Sequence, residues 1–172
     1  MNPIEKFQSL LANIAHDLSL PFLTLNDNQT CHFMNENGVN HFIEVNETSG
    51  MFYLFADMGF LPEENQSEIL SLLLEENNPS NGNMGINFFI DSTSQSIFLY
   101  YCCPISFLDE LTLANIIDNF LIITTNRAEQ LDQARSAKVL DDMPATNNVH
   151  LNTARKPNSE TLSVTSMRKL QC

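Results

Sequence analysis

Hydrophobic positions along the chain change period several times, and each change predicts an element. Residues 4–18 place Ile4, Phe7, Leu10, Leu11, Ile14, Ala15 and Leu18 at three-and-four spacing, which predicts an amphipathic helix ended by Pro21. Residues 29–34 and 39–45 flank Asn35-Glu36-Asn37-Gly38, a turn whose glycine can take positive φ, so a hairpin is expected. In its second strand Val39, His41, Ile43 and Val45 alternate with Asn40, Phe42 and Glu44, one face dry and the other mostly wet. Residues 51–58 are apolar on both faces, as a central strand is.

Pro62, Glu63 and Glu64 suit the first turn of a helix over 63–77, and Glu75-Glu76 at its other end oppose the dipole, so fraying is expected there. Strands at 84–90 and 97–103 follow, joined by a polar turn at 91–96. A last long helix is expected from an N-cap at Ser106, with Asp109 and Glu110 in its first turn, losing its apolar stripe near Ala137. The order α-β-β-β-α-β-β-α predicts an α+β fold, a twisted, mainly antiparallel sheet flanked by helices. Residues 1–140 read as that domain. Residues 141–172, loop-like and carrying Arg155, Lys156, Arg168 and Lys169 with Glu160, read as a flexible, mildly basic tail.

Charge narrows the partners. Eight Lys and Arg against twenty-one Asp and Glu give a net charge of −13, and no Lys or Arg lies between Phe7 and Asn126. A phosphate backbone needs a basic footprint, so nucleic acid is a poor partner. The N-terminus shows no secretory pattern, and no apolar run approaches the roughly 20 residues of a membrane helix, so a cytoplasmic chain without membrane insertion is expected.

Candidate chemistry is sparse. Cys102-Cys103, with His32 or His41 as a base, would be the thiol-enzyme reading, but a thiolate needs a cationic setting and this neighbourhood is acidic and apolar. The histidines His16, His32, His41 and His150 have no metal-ligand spacing, Gly82-Asn83-Met84-Gly85 precedes a strand and has no lysine, and no cofactor is expected. What remains is surplus apolar surface. The helix containing Ile69-Leu70-Ser71-Leu72-Leu73-Leu74 is greasier than one packing stripe requires, and Phe42, Phe52, Phe89, Phe98 and Tyr100 are many aromatics for a small monomer to hide. A homodimer seam with grooves for another protein's side chains is the expectation; a small ligand-binding or thiol enzyme and a dimerisation adaptor are the alternatives.

The series Leu18-Ser19-Leu20-Pro21, the strand around Cys31, the strand 39–45, the stretch 51–61, Leu72-Leu73-Leu74-Glu75-Glu76-Asn77, Phe89-Ile90-Asp91, Ile97-Phe98-Leu99 and Phe107-Leu108-Asp109, in this order and with a low pI, resembles the class I type III secretion chaperones of the Tir chaperone family. The resemblance covers residues 4–131. It implies a non-enzymatic cytoplasmic homodimer that binds an extended N-terminal segment of a secreted effector, keeps it secretion-competent and presents it to the secretion apparatus, whose ATPase is a further implied partner. The dimer seam would map onto Ile69, Leu72, Leu73, Phe88 and Phe89. Effector-binding grooves are assigned, from the facing of their residues, to Leu11, Phe33, Phe42, Phe98 and Tyr100.

Overall fold

The computed structural model describes residues 2–17, 23–81 and 85–141; the tail expected over 141–172 lies, from residue 142 onward, outside the described residues. The elements are α1 (Pro3–Asp17), β1 (Thr30–Met34), β2 (Asn40–Asn46), β3 (Met51–Phe60), α2 (Gln66–Glu76), β4 (Asn87–Asp91), β5 (Ser96–Pro104) and α3 (Glu110–Asp141). The strands form one antiparallel sheet in the order β1-β2-β3-β5-β4, with β3 in the middle, as a strand apolar on both faces should be.

Registry sorts the side chains into two faces. Phe33, His41, Ala56, Leu99 and Phe88 form one continuous row across the five strands, and Cys31, Ile43, Leu54 and Tyr101 form the next. These rows carry the core, with Phe33, His41, Ile43, Leu54 and Ala56 fully enclosed. The helices cover this side. Phe7 of α1 packs its ring 5.2 Å from Phe52, and Phe120 of α3 meets His41 edge-on at 6.1 Å. Burying each such ring removes an area worth roughly 2–3 kcal/mol from water, so this face supplies most of the fold's stability.

Polar side chains lock the long-range contacts that periodicity cannot encode. Lys6 donates to the carbonyls of Ile105 and Ser106 at 2.9 and 3.1 Å, fixing α1 against the entry to α3. Arg135 donates to the carbonyls of Met58 and Phe60, at 2.6 and 3.1 Å, where the β3–β5 register shifts. Gly59 sits at that shift with φ +81°, which favours glycine, and a Cβ there would lie 3.2 Å from the Arg135 guanidinium, which would have to shift slightly.

Three local expectations need correction. The cap of α3 is Asp109, which accepts from the Thr112 N–H at 2.7 Å; Ser106 instead lies in a 3-10 turn over Ile105–Phe107. The Thr112 side chain and backbone hold the Asp109 carboxyl below the usual carboxylate range. Pro62 precedes α2 by four residues, and Asn65 just before the helix makes no side-chain cap but donates its amide to the Ala134 carbonyl at 2.7 Å. The far end of α2 is tied down rather than frayed: Glu76 pairs closely with Arg127, and Asn77 clamps β4 by accepting from the Phe88 N–H and donating to the Phe88 carbonyl.

His41 is a polar group inside the apolar face. Its Nε2 lies 3.0 Å from the Thr124 hydroxyl, which also bonds the Leu121 carbonyl, and its ring stacks on Phe33 at 5.3 Å. Burial lowers its pKa from 6.5 to about 4, outweighing an opposing hydrogen bond to the Val39 backbone. The unfolded chain therefore takes up a proton that the folded chain refuses, so stability falls as pH drops from about 6.5 to about 4, by roughly 3 kcal/mol for that gap. His41→Gln should flatten this slope relative to the parent in urea melts at pH 7, 5.5 and 4.5; equal slopes would remove His41 as the cause.

Candidate functional site

The opposite face of the sheet is built of alternate residues on the same strands, and it is not buried by any described helix. One row runs His32, Phe42, Phe55, Tyr100 and Asn87; the next runs Met34, Asn40, Asp57, Phe98 and Phe89. All of these are half-buried or exposed, and Phe89 reaches 38 % exposure. Tyr53 and Cys102 continue the surface towards the β2–β3 turn.

The aromatics touch one another rather than standing singly. Phe89 stacks on Phe98 at 5.2 Å and meets Tyr100 edge-on at 5.6 Å, Phe55 bridges Tyr100 and Phe89 at 6.4 and 6.2 Å, and His32 stacks on Phe42 at 4.7 Å. Rings so supported keep their rotamers, which lowers the entropic cost of docking on them. Contiguous aromatic surface of this kind is a candidate binding surface. Glu44, Asp57 and Asp91 border the face, and no Lys or Arg occurs in any of the five strands, so its potential is negative.

The expected binding residues divide between the two faces. Phe42, Phe98 and Tyr100 lie together on the open face, whereas Leu11 and Phe33 are enclosed in the core, at 1 % and 0 % exposure, with no surface to offer. Phe55 completes the aromatic patch and was not singled out from the sequence, although its position opposite Phe42 and Tyr100 follows once β3 is paired in register. Of the expected seam, Ile69, Leu73 and Phe88 are buried inside their own chain, Leu72 is half-buried and Phe89 belongs to the open face. The exposed apolar surface of α2 is carried by Leu74, at 73 %, which sits one turn from half-buried Leu70.

Cys102 faces the open side and Cys103 the core side of β5. Desolvation pushes the Cys103 thiol up, with Tyr101 opposing only weakly, so its environment disfavours the thiolate. Among the described residues no three His, Cys, Asp or Glu cluster as metal ligands, and no described helix is long and apolar enough to cross a membrane.

Comparison with known proteins places this architecture. The family model of the Tir chaperone protein (CesT) family matches residues 9–131. No curated protein matches the chain. Among solved structures, a chain of the ExsC-ExsE complex superposes with a TM-score of 0.60 at 20 % identity, covering 72 % of this chain and 92 % of that one. A chain of the HopA1-SchA chaperone-effector complex gives 0.61 at 18 % identity, over 73 % and 95 % of the two chains. The structure of the Yersinia pestis type III secretion chaperone SycH with a stable fragment of YscM2 gives 0.54 at 18 %, over 70 % and 98 %. At these identities the likeness is one of fold.

Proposed function

The chain belongs to the Tir chaperone protein (CesT) family, and from that premise we propose that it is a non-enzymatic cytoplasmic chaperone that holds an extended segment of a type III secreted effector on the open face of its sheet. The observation that carries this reading is the aromatic patch of Phe42, Phe55, Phe89, Phe98 and Tyr100, self-supporting and uncovered by the helices that bury the other face. An extended client offers alternate side chains to such a surface, and the outer strands β1 and β4 offer backbone groups for strand pairing. Each large apolar side chain it docks gains roughly 1.5–3 kcal/mol, against roughly 1–2 kcal/mol per residue of ordering, so side-chain docking at alternate positions does not suffice alone and main-chain pairing at a sheet edge has to add to it. Binding then needs no nucleotide. The net charge of −13 keeps the complex dispersed while the client is unfolded.

We also propose that two copies associate through α2, with Leu74, Leu70 and Leu72 at the seam and the buried Ile69, Leu73 and Phe88 supporting it from beneath. Coexpression with an effector encoded in the same bacterium, followed by limited proteolysis, tests the client reading. The expected result is a protected effector segment that is degraded in the absence of the chaperone and gives no cooperative melt of its own; an effector bound only as a folded globule contradicts it.

A further inference from the structure

We propose that the C-terminal segment, residues 155–169, lies across the open sheet face of its own chain when no client is bound. Three observations lead to it. The face is apolar and anionic: aromatic rings bordered by Glu44, Asp57 and Asp91, with no Lys or Arg in the strands. Its complement would be apolar and cationic, and residues 142–172 have that character. They hold four cations against two acids, net +2, which leaves residues 1–141 with four cations against nineteen acids, net −15. Within them, Arg155-Lys156 and Arg168-Lys169 flank Thr161-Leu162-Ser163-Val164-Thr165-Ser166-Met167, where Leu162 and Val164 alternate with small polar residues as an extended segment docking on a sheet would.

The geometry of the chain permits it. Arg135 anchors α3 to the Met58 and Phe60 carbonyls, at the end of the sheet where Asp57, Phe98 and Phe89 share a row. α3 ends six residues later, about 9 Å along the helix. From there, thirty-one residues reach up to roughly 100 Å, against a sheet only about 20 Å across its five strands. A tethered occupant also needs little intrinsic affinity, because its effective concentration is in the millimolar range. Arginine over an aromatic ring adds a cation–π contact that a neutral segment lacks.

The inference rests on the open face and the charge of the segment, and it is tested without any client, so its failure leaves the chaperone reading standing. In the full-length chain, Leu162 is replaced by the photo-crosslinker p-benzoylphenylalanine, and mixed isotope-labelled and unlabelled protein is irradiated to separate links within a chain from links between chains. Links within a chain to Phe42, Phe55, Phe98 or Tyr100 are expected. The same chain carrying Arg155→Glu, Lys156→Glu, Arg168→Glu and Lys169→Glu should lose them roughly tenfold while still melting cooperatively, at a temperature at most a few degrees lower. Links only between chains, links only to the helices, no links, or links insensitive to the charge reversal each overturn the proposal; the first of these would give the face to a second copy.

Discussion

Replacing Phe98 and Tyr100 together by Asp is expected to weaken client binding by about two to four orders of magnitude while leaving the chain folded. Both residues stand on the open face of β5, next to one another in adjacent rows, where they meet Phe89 and Phe55. Because they are half-exposed, a carboxylate at either site keeps its water in the free protein, and the loss of ring contacts should cost it about 1–2 kcal/mol. In the complex the same carboxylates would be covered by apolar client side chains. Two lost contacts of roughly 1.5–3 kcal/mol each then convert to the stated loss of affinity. The control is Asn115→Asp on the exposed side of α3, which should change neither binding nor stability. Titration calorimetry against the protease-protected segment reads the first quantity and urea melts the second; equal affinities for the double variant and the parent would take the client off this face.

Adjacent leucines of α2 should respond in opposite ways to the same substitution. Leu73→Asp places a carboxylate where the side chain is 5 % exposed, inside the chain's own core, and should destabilise the fold by about 4 kcal/mol or more, giving unfolded or aggregated material. Leu74→Asp, at 73 % exposure, should leave the melt nearly unchanged. If α2 forms the seam between copies, Leu74→Asp also converts a dimer to a folded monomer in multi-angle light scattering. An unchanged mass for Leu74→Asp would remove α2 from the seam, and a folded, dimeric Leu73→Asp would contradict the burial described.

Most of the fold is legible in local pattern. The three-and-four spacing of α1, the Asn35-to-Gly38 turn with Gly38 at φ +80°, and the doubly apolar β3 all act within a few residues, and each stands where its pattern puts it. Alternation also separates Phe42 from His41, Ile43 and Val45, so the two faces of β2 are readable. What alternation cannot say is which face of each other strand the helices cover. Phe33 shares a row with His41 and Phe42 does not, a distinction set by the β1–β2 register and invisible in either strand alone. Long-range polar contacts are hidden for a related reason. Asn65 and Arg135 spend their hydrogen bonds on partners 69 and 75 to 77 residues away, and no local rule anticipates such pairings. The buried Ile69 and Leu73 show the same limit, since a greasy helix looks alike whether its stripe meets its own α3 and β4 or another copy.

The central claim is that the aromatic face of the sheet holds an extended stretch of another protein. Photo-crosslinking from p-benzoylphenylalanine in place of Tyr100, in the native bacterium and followed by peptide mapping, tests it most directly. The account predicts links concentrated in one segment of a secreted protein, a segment protected from protease only in the complex, and none from the same probe at Asn115. Equal labelling from both positions, or links from Tyr100 to folded domains alone, would contradict it.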